Sequence, residues 1–276
     1  MVTEEEKTFP YEKVRNEFIQ KFEEHFPFYV EKIRNKFIAL GASENFINKD
    51  MAISGEAYKK SNGGIYKDTW VDDDKKHINE QNREVFNKEA NKHKDGYLAE
   101  KILPFVLNKF FEGSEYIIVN TSDYDDNYNG IDHVIFNTET GKAICALDEL
   151  VGNKEMYKDG ERYSKKEDKI KNKLKKYGGG RLKYGAVFKN GQFEEFTPLK
   201  ELPFAILRVE RKLMYQAMQN MSFDDSMPVH ESEKEFIKDT LHYLEKQVDD
   251  FKQYVEDESV YNPLLEFVEF LKQKTQ

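Results

Sequence analysis

Asp132 opens the apolar run IDHVIFN, Asp148 closes the run KAICALDEL, and the turn-like TETG lies between them. Strand alternation puts Asp132 on the face of Val134 and Phe136, and Asp148 on the face of Ile144 and Ala146. With Thr138 to Gly141 as a hairpin turn, residues whose numbers sum to about 279 or 280 face each other, so both carboxylates reach the open end of one ladder. Neighbouring carboxylates repel, and a hard divalent cation with oxygen ligands, Mg²⁺ for example, is the usual compensation. A third acid, Glu100, sits in GYLAEKILPFVLNKFF, where Leu98, Ile102 and Phe105 recur at helical spacing. The competing reading is chance: among 52 acidic residues some pairs fall close together, and strand-end acids often serve turns and solubility.

A second set of residues is basic. From Lys165 to Lys183 nine Lys or Arg meet two acids, although the whole chain carries a net charge of -9. That segment, KKEDKIKNKLKKYGGGRLK, offers Lys169, Lys173, Lys176, Arg181 and Lys183 to phosphates. Its alternative is a solvated helix face with Ile170, Leu174 and Tyr177 turned inward. Gly178, Gly179 and Gly180 form no Walker loop, since neither GKS nor GKT follows. His133 is expected to face away from Asp132 and to serve in packing or hydrogen bonding. The VDDD and YDDNY runs lack the ligand pattern of an EF-hand and read as exposed loops, although Asp125 or Asp126 could approach the Asp132 end. Without HExxH or paired CxxC motifs, zinc is not expected.

These residues need elements to hold them. Residues 9 to 40 repeat Val14, Phe18, Phe22, Val30, Ile33 and Phe37 at helical spacing and predict two helices, broken near Phe26-Pro27 and closed by Gly41. Residues 49 to 77 read as an irregular connection with short strands near Ala57 and Ile65. A long helix is expected from about Asn79 to Phe111, interrupted near Gly96 or Pro104. YIIVN, IDHVIFN and KAICALDEL follow as strands, the last two as a hairpin, then a lysine-rich helix over 164–176. LKYGAVFK, a turn at Asn190-Gly191 and LPFAILRVE read as further strands. From Glu231 the pattern is helical, with a last helix holding Leu264, Leu265, Val268 and Leu271. The expected organisation is an N-terminal helical and irregular extension (1–78), an α/β core (79–215) and a C-terminal helical region packed on it (216–276).

Composition excludes several classes. Hydrophobic residues at 38%, with 21 Phe and 16 Tyr, supply a core and argue against global disorder. The single Cys145 lies in an apolar run and reads as a core residue, so no intrachain disulfide forms and a reducing, cytoplasmic location is expected. The acidic start MVTEEEKTFPYEK and the lack of 18 consecutive apolar residues predict neither a signal peptide nor a membrane span.

The succession of the Glu100 helix, YIIVN, GIDHVIF, KAICALDEL and a following helix resembles the core of the PD-(D/E)xK nuclease superfamily, over about residues 95 to 210. The resemblance implies a restriction-endonuclease-like mixed central sheet flanked by helices. It also implies Mg²⁺ or Mn²⁺ held by Glu100, Asp132 and Asp148, with the backbone carbonyl of Glu149 as a further ligand, and hydrolysis of phosphodiesters in DNA or RNA. The pattern departs at the lysine two residues past the last acid: that position is Leu150, or Val151 if Glu149 is the acid. Lys154, or Lys165, Lys166 or Lys169 on the next helix, are the substitutes in reach. Two alternatives stay open: a noncatalytic nuclease-like protein that binds nucleic acid, and an assembly module that meets a protein partner through its helical extensions.

Overall fold

The computed structural model describes residues 9–54, 71–74, 76, 78, 95–153, 161–189, 192–224, 227–252 and 258–275. Helix α1 (Tyr11–Ala39) is one helix where two are expected, and it runs through Pro27. A proline in a helix interior costs about 3 kcal/mol. Val14, Phe18 and Phe22 before it and Tyr29, Val30, Ile33 and Phe37 after it are buried in one core. Each such side chain is worth about 1.5–3 kcal/mol, so continuity on both sides outweighs the lost hydrogen bond. Helix α2 (Asp95–Phe110) likewise passes Gly96 and Pro104 unbroken. Apolar almost all round, it is the central helix. The expected helical stretch before Asp95 and the expected strands near Ala57 and Ile65 lie outside the described residues.

After α2 come β1 (Tyr116–Asn120), a single π-helical turn (Asp125–Asn129), β2 (His133–Asn137) and β3 (Lys142–Gly152). Helix α3 (Glu161–Tyr177) follows, then β4 (Gly180–Leu182), β5 (Ala186–Lys189), β6 (Gln192–Glu195), β7 (Leu199–Leu202) and β8 (Phe204–Glu210). The main sheet has the order β1-β2-β3-β8, with the first three strands antiparallel and β8 parallel to β3. It is therefore a mixed central sheet flanked by helices, as expected. Two-stranded ladders β4-β7 and β5-β6 stand beside it. Lys189 pairs with Gln192, and the turn expected at Asn190-Gly191 lies outside the described residues. In the β2-β3 hairpin, Gly141 takes φ +64, and a Cβ there would meet the Phe188 side chain at 2.1 Å.

Both sheet edges are closed by side-chain amides. On β1, Asn108 donates to the Ile118 carbonyl at 2.7 Å and accepts from its amide at 2.8 Å. On β8, Gln247 does the same for Ile206, at 2.6 and 2.8 Å. Each amide satisfies a backbone pair that would otherwise template a foreign strand.

Helix α4 (Arg211–Asn220) spans the boundary expected after residue 215, and α5 (Glu231–Phe251) and α6 (Glu258–Thr275) complete the C-terminal extension. A buried ion pair, Lys109 to Glu233 at 3.2 Å, ties α2 to α5. Among the described residues one apolar core runs from Val14 to Leu271, Cys145 included. Among the described residues, no helix is long and apolar enough to cross a membrane.

Candidate carboxylate and lysine site at the sheet end

The β2-β3 register places His133 opposite Leu147 and Val134 opposite Ala146, then shifts by one residue between Ile135 and Phe136. Both the sums 280 and 279 are thus realised. Beyond the last paired residue, Asp132 continues the ladder with its side chain. Its amide donates to the Leu147 carbonyl at 2.9 Å, and its Oδ2 accepts the Glu149 amide at 2.8 Å. Asp148 and Glu149, adjacent on β3, point to opposite sides. Asp148 is buried and meets Lys166 of α3, whose Nζ lies 2.5 Å from Asp148 Oδ1 and 2.6 Å from the Glu149 carbonyl. The Glu149 carboxylate instead turns to the His133 side, with Oε2 3.0 Å from His133 Nε2.

A chain of hydrogen bonds orients that histidine. Asn120 Nδ2 donates to the Asp50 carbonyl at 3.0 Å, which fixes the amide so that its Oδ1 faces His133 Nδ1 at 2.9 Å. Nδ1 must then carry a hydrogen and donate it. His133 is fully buried, as a hydrogen-bonding residue should be.

Glu100 and Asp126 complete the cluster. Burial, then the charges of Glu149 and Asp126, push Glu100 up to about 8. Desolvation, then Glu149, raises Asp126 to about 6, although its outer side is open to solvent. Asp132 is raised well above the carboxylate range by burial and by Glu149, to which it is hydrogen-bonded. Burial also pushes Glu149 upward, but the hydrogen bond and charge of His133 outweigh it and hold this carboxyl below its ordinary value. The cluster is thus a set of crowded, desolvated carboxyl oxygens whose burial and mutual repulsion raise Glu100, Asp126 and Asp132. Among the described residues no group of three or more His, Cys, Asp or Glu side chains is arranged to hold a metal ion. The donor chemistry still fits Mg²⁺ or Mn²⁺, which take few carboxylates and otherwise oxygen from water and phosphate.

Glu149 is therefore flanked by Glu100, Asp126 and Asp132 at this sheet end, with Asp148 acting on Asp132 from the other side, while the Glu149 carbonyl is engaged by Lys166. Of the lysine substitutes, Lys166 is at the site. Lys165 and Lys169 lie on the exposed side of α3, and Lys154 lies outside the described residues. Asp125 departs from the exposed-loop reading: it is fully buried and accepts from Ser122, Asn129 and the amides of Lys183 and Tyr184. It is the buried anchor of the π turn, while Asp126, one residue on, faces the cluster.

The basic segment divides similarly. Ile170 and Leu174 are buried, as the solvated-face reading requires. Lys173 donates to the Asn129 carbonyl and lies 5.0 Å from the Phe204 ring centroid; burial, then Lys169, lowers it to about 8. Lys183 pairs with Asp74 and lies over Tyr124 at 4.4 Å. Lys176 and Arg181 flank Tyr177, at 4.9 and 4.3 Å from its centroid.

Fold and site together define a mixed α/β protein with a crowded carboxylate cluster and a helix-borne ammonium at one sheet end. No protein-family model, curated protein or solved structure matches the chain.

Proposed function

We propose that this chain is a divalent-metal-dependent phosphodiesterase acting on nucleic acid, with Lys166 in the role of the lysine missing from β3. The observation that carries this reading is the Lys166 ammonium 2.5 Å from Asp148 Oδ1, inside a carboxylate cluster that lacks a strand lysine. The element order α2-β1-β2-β3-α3-β8, with the acids at the helix, the start of β2 and the end of β3, supports it further.

Glu100, Asp132, Asp148 and Glu149 would hold the cation, with Asp126 in reach of Asp132. A hard divalent ion supplies Lewis acidity toward phosphoryl oxygen and lowers the pKa of water. The chain's own part is electrostatic. Asp132 is braced by the Glu149 amide and Glu149 lies 3.0 Å from His133, so loading would start from two oriented carboxylates and draw the others toward the ion. Lys166 holds positive charge at the Asp148 oxygen and can shift to a phosphoryl oxygen without leaving the site.

Calorimetric titration of Mn²⁺ and cleavage of a dye-labelled oligonucleotide test this reading. Asp132→Asn should lose both. Lys166→Met should keep cation binding and lose cleavage by about 10²–10³, the scale of one electrostatic donor. A wild-type chain that neither binds Mn²⁺ nor cleaves defeats it. Nucleic-acid binding without cleavage is the second reading, favoured by the same ion pair when Lys166 takes the place of the cation.

A further inference from the structure

On α3, residues 165, 169, 172 and 176 fall on one stripe of the helix, since steps of four, three and four residues return to nearly the same angle. Lys165, Lys169, Asn172 and Lys176 are all exposed, and exposed Arg181 prolongs the stripe beyond the helix end. Lys166 and Lys173 lie about 60–120° further round the helix, toward the sheet end. The stripe is about 17 Å long at 1.5 Å per residue, one helix wide, and begins beside the residue that grips Asp148. Lys169 leans across to the end of the π turn. Its Nζ is 2.7 Å from where a Cβ of Gly130 would stand. Arg181 lies over Tyr177, with its guanidinium at 4.3 Å from the ring centroid.

We propose that this stripe is a track for single-stranded nucleic acid, carrying one phosphate backbone toward Asp148 and Lys166 and stacking a base on the Arg181-Tyr177 end. The proposal rests on the phosphodiesterase reading for its direction, though not for its binding. Width decides between single strand and duplex. A helix is about 10–12 Å across with its side chains, and a B-form groove of about 12 Å separates the two phosphate rows of a duplex. The second row would fall beyond the stripe, on a chain of net charge -9. A single backbone meets Lys165, Lys169, Lys176 and Arg181 with Asp168 as the one acid beside them, and stacking on an arginine plane tolerates any base.

The test is fluorescence anisotropy with labelled oligothymidylate and a labelled duplex of the same length, in EDTA, across a KCl series. Four cations predict a log–log salt slope of about -3 for the single strand. The single strand should bind at least about tenfold more tightly than the duplex. Replacing Lys165, Lys169 and Lys176 by Gln should weaken binding by about tenfold or more and flatten the slope by about 2. A control with Lys13, Lys21 and Lys238 changed to Gln, at exposed positions on other helices, should bind like wild type. Matching thermal melts establish that both variants fold. Equal affinity for duplex and single strand, or a stripe variant that binds like wild type, overturns the proposal. The two readings fail separately. Metal-free binding that follows the stripe in a chain without cleavage defeats only the phosphodiesterase reading. Full-rate oligonucleotide cleavage by the stripe variant defeats only the track.

Discussion

Removing the charge of Glu100 should stabilise the metal-free protein at high pH and leave it unchanged at low pH. Its carboxyl is raised to about 8 by burial and by Glu149 and Asp126, from an ordinary value of 4.5. Between those two values the folded chain keeps a proton that the unfolded chain has released, so stability falls as pH rises through this window. Below 4.5 both states are protonated and nothing is lost. Carried in full, the difference amounts to about 5 kcal/mol. Water at the rim screens the charge and neighbouring carboxyls share the proton, which leaves about 1–3 kcal/mol. Glu100→Gln keeps the shape and abolishes the ionisation. In urea unfolding followed by circular dichroism in EDTA, wild type and variant should agree within about 0.5 kcal/mol near pH 5, and the variant should be the more stable by about 1–3 kcal/mol near pH 8.5. Saturating Mg²⁺ should restore the wild type by about 2–3 kcal/mol at the higher pH and the variant by less. A variant that loses ground to wild type on going from pH 5 to pH 8.5 in EDTA would refute the raised carboxyl and the crowding inferred from it.

Three further outcomes are expected. Asn120→Leu removes the acceptor that fixes His133, so Glu149 should lose its brace and Mn²⁺ affinity should fall about 10–100-fold by calorimetry, with Asn120→Asp restoring part of it. Gln247→Leu strips the bridge from Ile206 and should cost about 2–4 kcal/mol in urea unfolding, with faster hydrogen exchange at the Ile206 amide. Pro27→Ala should raise stability by about 1–3 kcal/mol, because α1 is continuous there and alanine restores the missing donor; destabilisation would mean a real helix boundary.

The parts legible in sequence were those with a short period and local partners. YIIVN matches β1 residue for residue, and the turn at Thr138 to Gly141 set a register that brings Asp132 and Asp148 to one end. Other elements carry weaker patterns. In β7 the run LKEL is buried only at its ends, and β6 alternates with just one half-buried aromatic, so neither displays an apolar face of its own. The parallel pairing of Asp148 with Ile206 joins residues far apart in sequence and leaves no local trace. Asp125 and Asp126 share a residue type and differ only in phase: a π turn sends one into the core and the other toward Glu149. Pro27 misled for the opposite reason, a strong local signal overruled by tertiary burial on both sides.

The lysine illustrates how a motif and its physical purpose can separate. A strand residue two past an acid shares its face, which is why a lysine at that spacing can serve the acid. Here that face continues with Leu150, only 4% exposed, and an ammonium in its place would be buried against apolar neighbours. Lys166 meets the same need from α3, where its stem crosses the sheet end and its Nζ reaches both the Asp148 carboxylate and the Glu149 carbonyl. Two acceptors from consecutive residues define that ammonium position as tightly as a strand backbone would. Lys165, one step earlier, is turned by about 100° and joins the outward stripe. Helix phase thus separates adjacent lysines, one against Asp148 and the other on the outward stripe proposed to line the approach to it.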